Sequence, residues 1–213
     1  MRSITVVTLL MLAGTLLSCP TAAAGVPTAA SSYVQTPVIV CPAGDSEFKV
    51  IVRRFNFPYA NAEVDLRFGL CPGVQFPPVL GDEGYAVQPV TSAPSTCARL
   101  IKVADGLGHA IFTIRAGGTC PAGGVEVYAS SVPFGSRAVA SPDQDGNLGV
   151  GADDLALAEA KLGSADPTAD FDGDGTVTSA DLDFVRGHLG HYAPGMATPV
   201  TSRSWGAIKL LYQ

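Results

Sequence analysis

Between residues 37 and 140 apolar side chains return at every second position. Phe48, Val50 and Val52 form one such run, although Ile51 between them blurs the contrast. Val64, Leu66, Phe68 and Leu70 alternate with Asp65, Arg67 and Gly69; Ala110, Phe112 and Ile114 form a third run, and Val125, Val127 and Ala129 a fourth. A period of two places alternate side chains on opposite faces of a strand, so each run predicts a half-buried β-strand. Turn-forming clusters at Asn56-Phe57-Pro58, Cys71-Pro72-Gly73, Asp105 to Gly108 and Gly117-Gly118 separate the runs. Short strands at this spacing, with no helical stretch between them, predict an antiparallel β-sandwich over residues 37–140, with a last strand at Ser136–Ala140.

After Ala140 the period changes. Residues 152–162 carry apolar side chains at 155, 157, 158 and 162, and residues 179–189 carry them at 182, 184, 185 and 189. Each set predicts one face of a short helix, closed by Gly163 or Gly190 at its C-terminus. The two segments are copies. Asp143, Asp145, Asn147, Gly149 and Asp154 recur, in the same order and at the same spacing, as Asp170, Asp172, Asp174, Thr176 and Asp181. Neither helix can bury its apolar face alone, so the pair should pack together.

Within each copy, oxygen-bearing side chains occupy positions 1, 3, 5 and 12 of a twelve-residue loop, and the position-7 carbonyls of Gly149 and Thr176 can add a further oxygen. Seven aspartates (143, 145, 154, 170, 172, 174 and 181) and Asn147 are thereby gathered into two small volumes. Uncompensated, such carboxylates repel one another. Calcium accepts six to eight oxygens and suits the pattern; magnesium, with its smaller shell and tightly held waters, suits it less. Two calcium ions are therefore expected. Gly175 stands at position 6 of the second loop, where a left-handed backbone is needed, but Leu148 stands there in the first. A left-handed non-glycine residue costs about 1–2 kcal/mol, so the first site is expected to be the weaker or more distorted one.

Paired loop-then-helix units with Asp154 and Asp181 at position 12 resemble the type I dockerin module over residues 141–190, and Asp170 to Leu182 matches that pattern closely. The resemblance implies calcium-dependent docking to a cohesin-like domain, commonly in polysaccharide-degrading assemblies. Loop positions 10 and 11, here Ala152, Asp153, Ser179 and Ala180, would contact the partner. The strand order, together with Asp105, Gly108, Ala110 and Phe112 opening a late strand, resembles a bacterial Ig-like domain of the invasin/intimin type. That resemblance implies a spacer, an adhesin stalk or a carbohydrate-side accessory. The fold class expected is thus mainly β with a small α module: an Ig-like antiparallel β-sandwich followed by two calcium-loop–helix units.

The remaining features refine this picture. Met1-Arg2 and the apolar run Ile4 to Leu17 predict a secretory signal over residues 1–24, with cleavage after Ala22-Ala23-Ala24. A second reading lipidates Cys19. Either way the chain is expected to be secreted or at a bacterial cell surface, with no transmembrane segment. Residues 25–36 and 191–201 are expected as linkers. Residues 202–213 are expected as a short amphipathic helix carrying Trp205, Ile208 and Tyr212. Between Asp143 and Arg186 there are 11 acidic and 2 basic residues, out of 19 and 13 in the chain, so its net charge of −6 originates in the loops. No basic cluster with interleaved aromatics suggests nucleic acid.

Four cysteines follow the signal: Cys41, Cys71, Cys97 and Cys120. An even number in an exported chain predicts two disulfides with three connectivities, of which Cys71–Cys97 with Cys41–Cys120 is favoured. Their spacing is not that of a zinc site. No nucleophile elbow, phosphate loop or H-E-x-x-H motif is present, so no enzyme is expected and no catalytic residue is assigned. The pairs Asp45/Glu47, Glu63/Asp65 and Asp82/Glu83 read as solvated carboxylates, with Glu63 and Asp65 on a solvent face. His188 and His191 read as helix-end residues favoured by the negative end of the dipole.

Overall fold

The computed structural model describes residues 25–77, 86–89 and 98–196. The signal segment with Cys19, the pair Asp82/Glu83, Cys97 and the segment 202–213 lie outside the described residues. No described helix is long and apolar enough to cross a membrane.

The protein is mainly β with a small α part. Strands β1 (Tyr33–Val34), β2 (Val38–Ile39), β3 (Glu47–Ile51), β4 (Arg53–Arg54), β5 (Phe57–Pro58) and β6 (Glu63–Arg67) come first. They are followed by β7 (Ala86–Pro89), β8 (Ala98–Val103), β9 (His109–Thr113), β10 (Cys120–Ala129) and β11 (Val132–Ala140), and then by helices α1 (Ala152–Glu159) and α2 (Ser179–Gly187). One sheet has the order β1-β3-β9 and a larger one β2-β11-β10-β6-β8-β7; β4 and β5 form a small hairpin.

The period-two runs point inward as expected. Phe48, Val50, Ala110 and Phe112 of the smaller sheet share one buried cluster with Val64, Leu66, Leu100, Val125 and Val127 of the larger. Phe48 pairs with Phe112 across β3 and β9, and their rings lie 6.2 Å apart. Among the described strands pairing is antiparallel, apart from β2, which runs parallel to β11 with Val38 beside Val139. Leu70 departs from its expected inward position: the strand ends at Arg67, the chain turns, and Leu70 is exposed. Strand β8 was not legible beforehand, because Ile101 beside Leu100 masks the alternation; β1 likewise lies in the expected linker.

Asp65 corrects the solvent-face reading. It is buried, because Arg67 and Arg99 close over it with Nε–O distances of 2.8 and 2.9 Å, and the Arg67 guanidinium in turn lies over the Tyr128 ring. Glu63 remains exposed. The expected disulfides are corrected as well. Cys71 bonds Cys120, with Cα atoms 5.4 Å apart, and Cys41 is a free, buried thiol. The turn at Cys71 meets the start of β10, whereas Cys41 pairs with Arg115 and lies beside Asp45, His188 and His191. The register of β10 against β11 breaks between Cys120 and Val125, and Gly124 lies in that break. A Cβ at Gly124 would overlap both sulfur atoms.

Candidate metal centre

The loops and their helices are built by the same local rules in both copies. In the first, Asp143 Oδ1 accepts the amides of Gly146 and Asn147, and its Oδ2 accepts that of Leu148 at 2.8 Å. In the second, Asp170 accepts the amides of Gly173 and Gly175 at 2.9 and 3.0 Å. Asp145 and Asn147 each accept the amide two residues on, as do Asp172 and Asp174. At position 12, Asp154 accepts the amides of Gly151, Gln144 and Asp145, and Asp181 accepts those of Thr178 and Phe171. Each position-12 carboxylate thus ties the loop's start to the first turn of its helix, where the negative charge also faces the helix N-terminus. Thr178 adds its hydroxyl oxygen as a cap for the amide of Ala180.

The ligand atoms converge. One carboxylate oxygen from each of Asp143, Asp145 and Asp154 lies within 4.8 Å of the others, and the same holds for Asp170, Asp172 and Asp174. Burial pushes the carboxyl of Asp143 up to about 7, helped by Asp145 and by the charge of Asp154 and opposed by the Leu148 amide. At Asp172 the amide of Asp174 pulls the carboxyl down, but burial and the charges of Asp181 and Asp174 outweigh it and raise the net value. These are clusters of hard oxygen donors whose mutual repulsion a divalent cation would relieve. All the described donors are oxygens, which fits calcium and suits zinc or copper less well. Asp143, Asp145, Asn147 and Asp154 would hold one ion, and Asp170, Asp172, Asp174 and Asp181 the other, with the backbone of Gly149 and Thr176 at position 7.

Leu148 adopts the conformation the loop demands, with φ of 67°, while Gly175 has φ of 96°. The left-handed cost at Leu148 is offset by burial of its side chain, worth about 1.5–3 kcal/mol for a residue of this kind. The first loop keeps the backbone bonds that the second makes to its position-1 and position-12 carboxylates, and adds those of Asn147 and Asp145.

The loops are braced differently against the sandwich. Gly118 donates its amide to the Asp143 carbonyl at 2.8 Å, and a Cβ at Gly117 would fall on the Asp143 carboxylate. Asp143 is consequently fully buried. Ala140, the last residue of β11, joins Val150, Ala158, Phe171, Leu182 and Val185 in a second small core. Residues expected as a linker also contribute: Val150 donates its amide to the His191 carbonyl, and Ala193 donates to Leu148.

The helices pack as a pair, with Leu155 and Phe184 partly buried against that core. Leu157, Leu162 and Leu189, expected on the buried faces, are instead exposed. α1 ends at Glu159 and α2 at Gly187, so Leu162 and Leu189 fall beyond the helices, where the apolar stripe no longer applies. Ala152, Asp153, Ser179 and Ala180 lie on the first turns of the two helices, and all four are exposed there. Asp153 also borders an open cleft with Asn147, Gly151, Tyr192 and Met196.

His188 and His191 do more than end a helix. Both approach Asp45, in the loop between β2 and β3. Sequence reasoning passed over Asp45 and Cys41 as their neighbours, because most of the chain separates the two pairs. No protein-family model matches the chain, and no curated protein matches it.

Proposed function

We propose that the protein is an exported, non-catalytic calcium-binding protein. Its C-terminal loop–helix pair resembles a dockerin and docks to a cohesin-like partner in a cell-surface or polysaccharide-degrading assembly, with the Ig-like sandwich as its spacer. The observation that carries this reading is the duplicated oxygen cluster, in which the aspartates at loop positions 1 and 12 accept the same amides in both copies. The exposure of Ala152, Asp153 and Ala180, with Leu157 and Leu162 nearby, supports docking through the helix pair, since exposed leucines rimmed by polar residues suit a protein contact.

A second reading has its own support. The clasp of Gly117 and Gly118 on Asp143 fits a calcium-rigidified structural or adhesin-like surface protein, in which the ion stiffens the junction and no cohesin partner exists.

The test immobilises residues 25–213 and exposes them to the source cell's surface extract, in millimolar calcium and in chelator. A partner held only in calcium, and lost in Asp170→Ala/Asp181→Ala, supports docking. Unchanged capture by that double variant would overturn it. Empty beads from a chain whose Tm still rises with calcium would favour the bracing role.

A further inference from the structure

A cysteine, an aspartate and two histidines meet where the sandwich touches the end of α2. Cys41 and Asp45 belong to the loop that follows β2; His188 and His191 follow the helix. One ligand atom from each of the four lies within 4.8 Å of the others. Cys41 is fully buried and its thiol is free.

The two rings are set for ligation. Nδ1 of His188 lies 2.7 Å from the carbonyl of Phe184. A carbonyl only accepts, so Nδ1 carries a proton, and in the neutral ring Nε2 presents a lone pair. Nε2 is 3.7 Å from Asp45 Oδ1, with the Ser46 hydroxyl at 3.2 Å as its other neighbour. Contact with the Phe184 ring, tilted by 36° with centroids 4.4 Å apart, holds the ring in place. A histidine that donates one ring N–H to a backbone carbonyl and keeps the other nitrogen free of a proton is the usual arrangement of a metal ligand.

His191 supplies a second, independent sign. Its Nδ1 is buried and has no hydrogen-bond partner among the described residues, although Asp45 Oδ2 stands only 2.8 Å away. The two atoms are close but not aligned for a hydrogen bond.

We propose that Cys41, Asp45, His188 and His191 form a zinc site that pins the loop–helix pair to the sandwich. One thiolate, one carboxylate and two imidazoles make four ligands of the kinds zinc takes in tetrahedral sites. Bond lengths of about 2.0–2.3 Å put neighbouring ligand atoms about 3.3–3.7 Å apart, so a group already within 4.8 Å needs only small side-chain adjustments. The sulfur and nitrogen donors distinguish this cluster from the all-oxygen loops, and calcium suits it poorly. With all four positions supplied by protein, the role is structural, and it is independent of what fills the loops.

The experiment uses residues 25–213 in excess calcium, so that the loops are saturated, with cobalt(II) as the probe and zinc as competitor. One equivalent of cobalt should bind, giving a thiolate-to-metal charge-transfer band and the strong visible absorption of a tetrahedral ion, and zinc should erase both. Cys41→Ser should remove the charge-transfer band, whereas Asp170→Ala in the second loop should leave it intact. Outer-shell partners alone change metal affinity about 10–100-fold, so His191→Ala should weaken zinc binding by about 100-fold or more. His191 is partly exposed, so that variant serves even where Cys41→Ser fails to fold. Absence of the charge-transfer band, its persistence in Cys41→Ser, or unchanged zinc affinity in His191→Ala would overturn the proposal.

Discussion

The amide of Gly190 donates to the carbonyl of Val150 over 2.9 Å, so the chain leaving the second helix is bonded to the first loop. The reciprocal bond exists: Gly163, after the first helix, donates to Val177 of the second loop over 2.8 Å. Val150 and Val177 both occupy loop position 8 and both are buried. Each acidic loop is therefore braced by the segment that follows the other copy's helix, and the duplicated units form a single pair. Ions entering one loop should stabilise the other through these bonds.

The clasp at Gly117 should govern the first loop alone. Any side chain there would overlap the Asp143 carboxylate. Gly117→Ala is expected to weaken calcium at the first site by about tenfold or more, equivalent to about 1.4 kcal/mol, and to leave the second site nearly unchanged. Isothermal titration of wild type and variant checks this, and an equal loss at both sites would refute it.

Removal of the Cys71–Cys120 bridge should destabilise the sandwich. The cysteines are 49 residues apart, and the entropy model of loop closure assigns such a cross-link about 4 kcal/mol. Urea unfolding of Cys71→Ala/Cys120→Ala against wild type measures the loss. Gly124→Ala, which would press a methyl onto the two sulfurs, should also lower stability while the bridge is intact. It should have a smaller effect in the double cysteine variant.

Asp65 holds two guanidinium groups on the outer side of the larger sheet. Asp65→Ala should cost about 1–3 kcal/mol, less than the loss from a fully enclosed ion pair, since Arg67 and Arg99 keep about a third of their side-chain surface in water and can turn outward. Denaturant midpoints for Asp65→Ala and Asp65→Asn test the magnitude, and a neutral alanine variant would contradict the role.

Asp166 sets a pH dependence away from the metal ligands. Burial works against its ionisation, but the amide and hydroxyl of Thr168 and the charge of Lys161 outweigh it and lower its pKa. Lys161 in turn reaches Gln144, beside Asp143, and Thr168. Because the folded value is the lower one, the stabilisation is complete above the ordinary aspartate value of about 3.9 and is lost as pH falls through the folded value. Stability curves of wild type and Asp166→Asn should therefore coincide at low pH, diverge as pH rises toward about 4, and run parallel above it. Curves that stay parallel all the way from low pH up to about 4 would exclude this assignment.

Much of this architecture was legible along the chain. The period-two runs at 48–52, 64–68, 110–114 and 125–129 mark inner-face positions, because a strand's alternation is a local property that burial merely exploits. The two acidic clusters were legible for the same reason: each gathers its carboxylates from one short stretch, and the internal repeat marks the second. Leu148 could be foreseen as left-handed because its loop position requires it. What tertiary structure alone decided are the pairings between distant residues. Which cysteine meets Cys71 depends on β10 reaching the turn after β6, and periodicity is silent on that. Asp65 looked solvated because alternation separates the core face from the outer face; it cannot say that Arg99, on a neighbouring strand, covers it. Cys41 and Asp45 meet His188 and His191 only because the helix pair is clamped to the sandwich at Asp143 and Ala140. Local patterns are set by the backbone's own geometry, whereas contacts between remote segments follow from how whole elements pack.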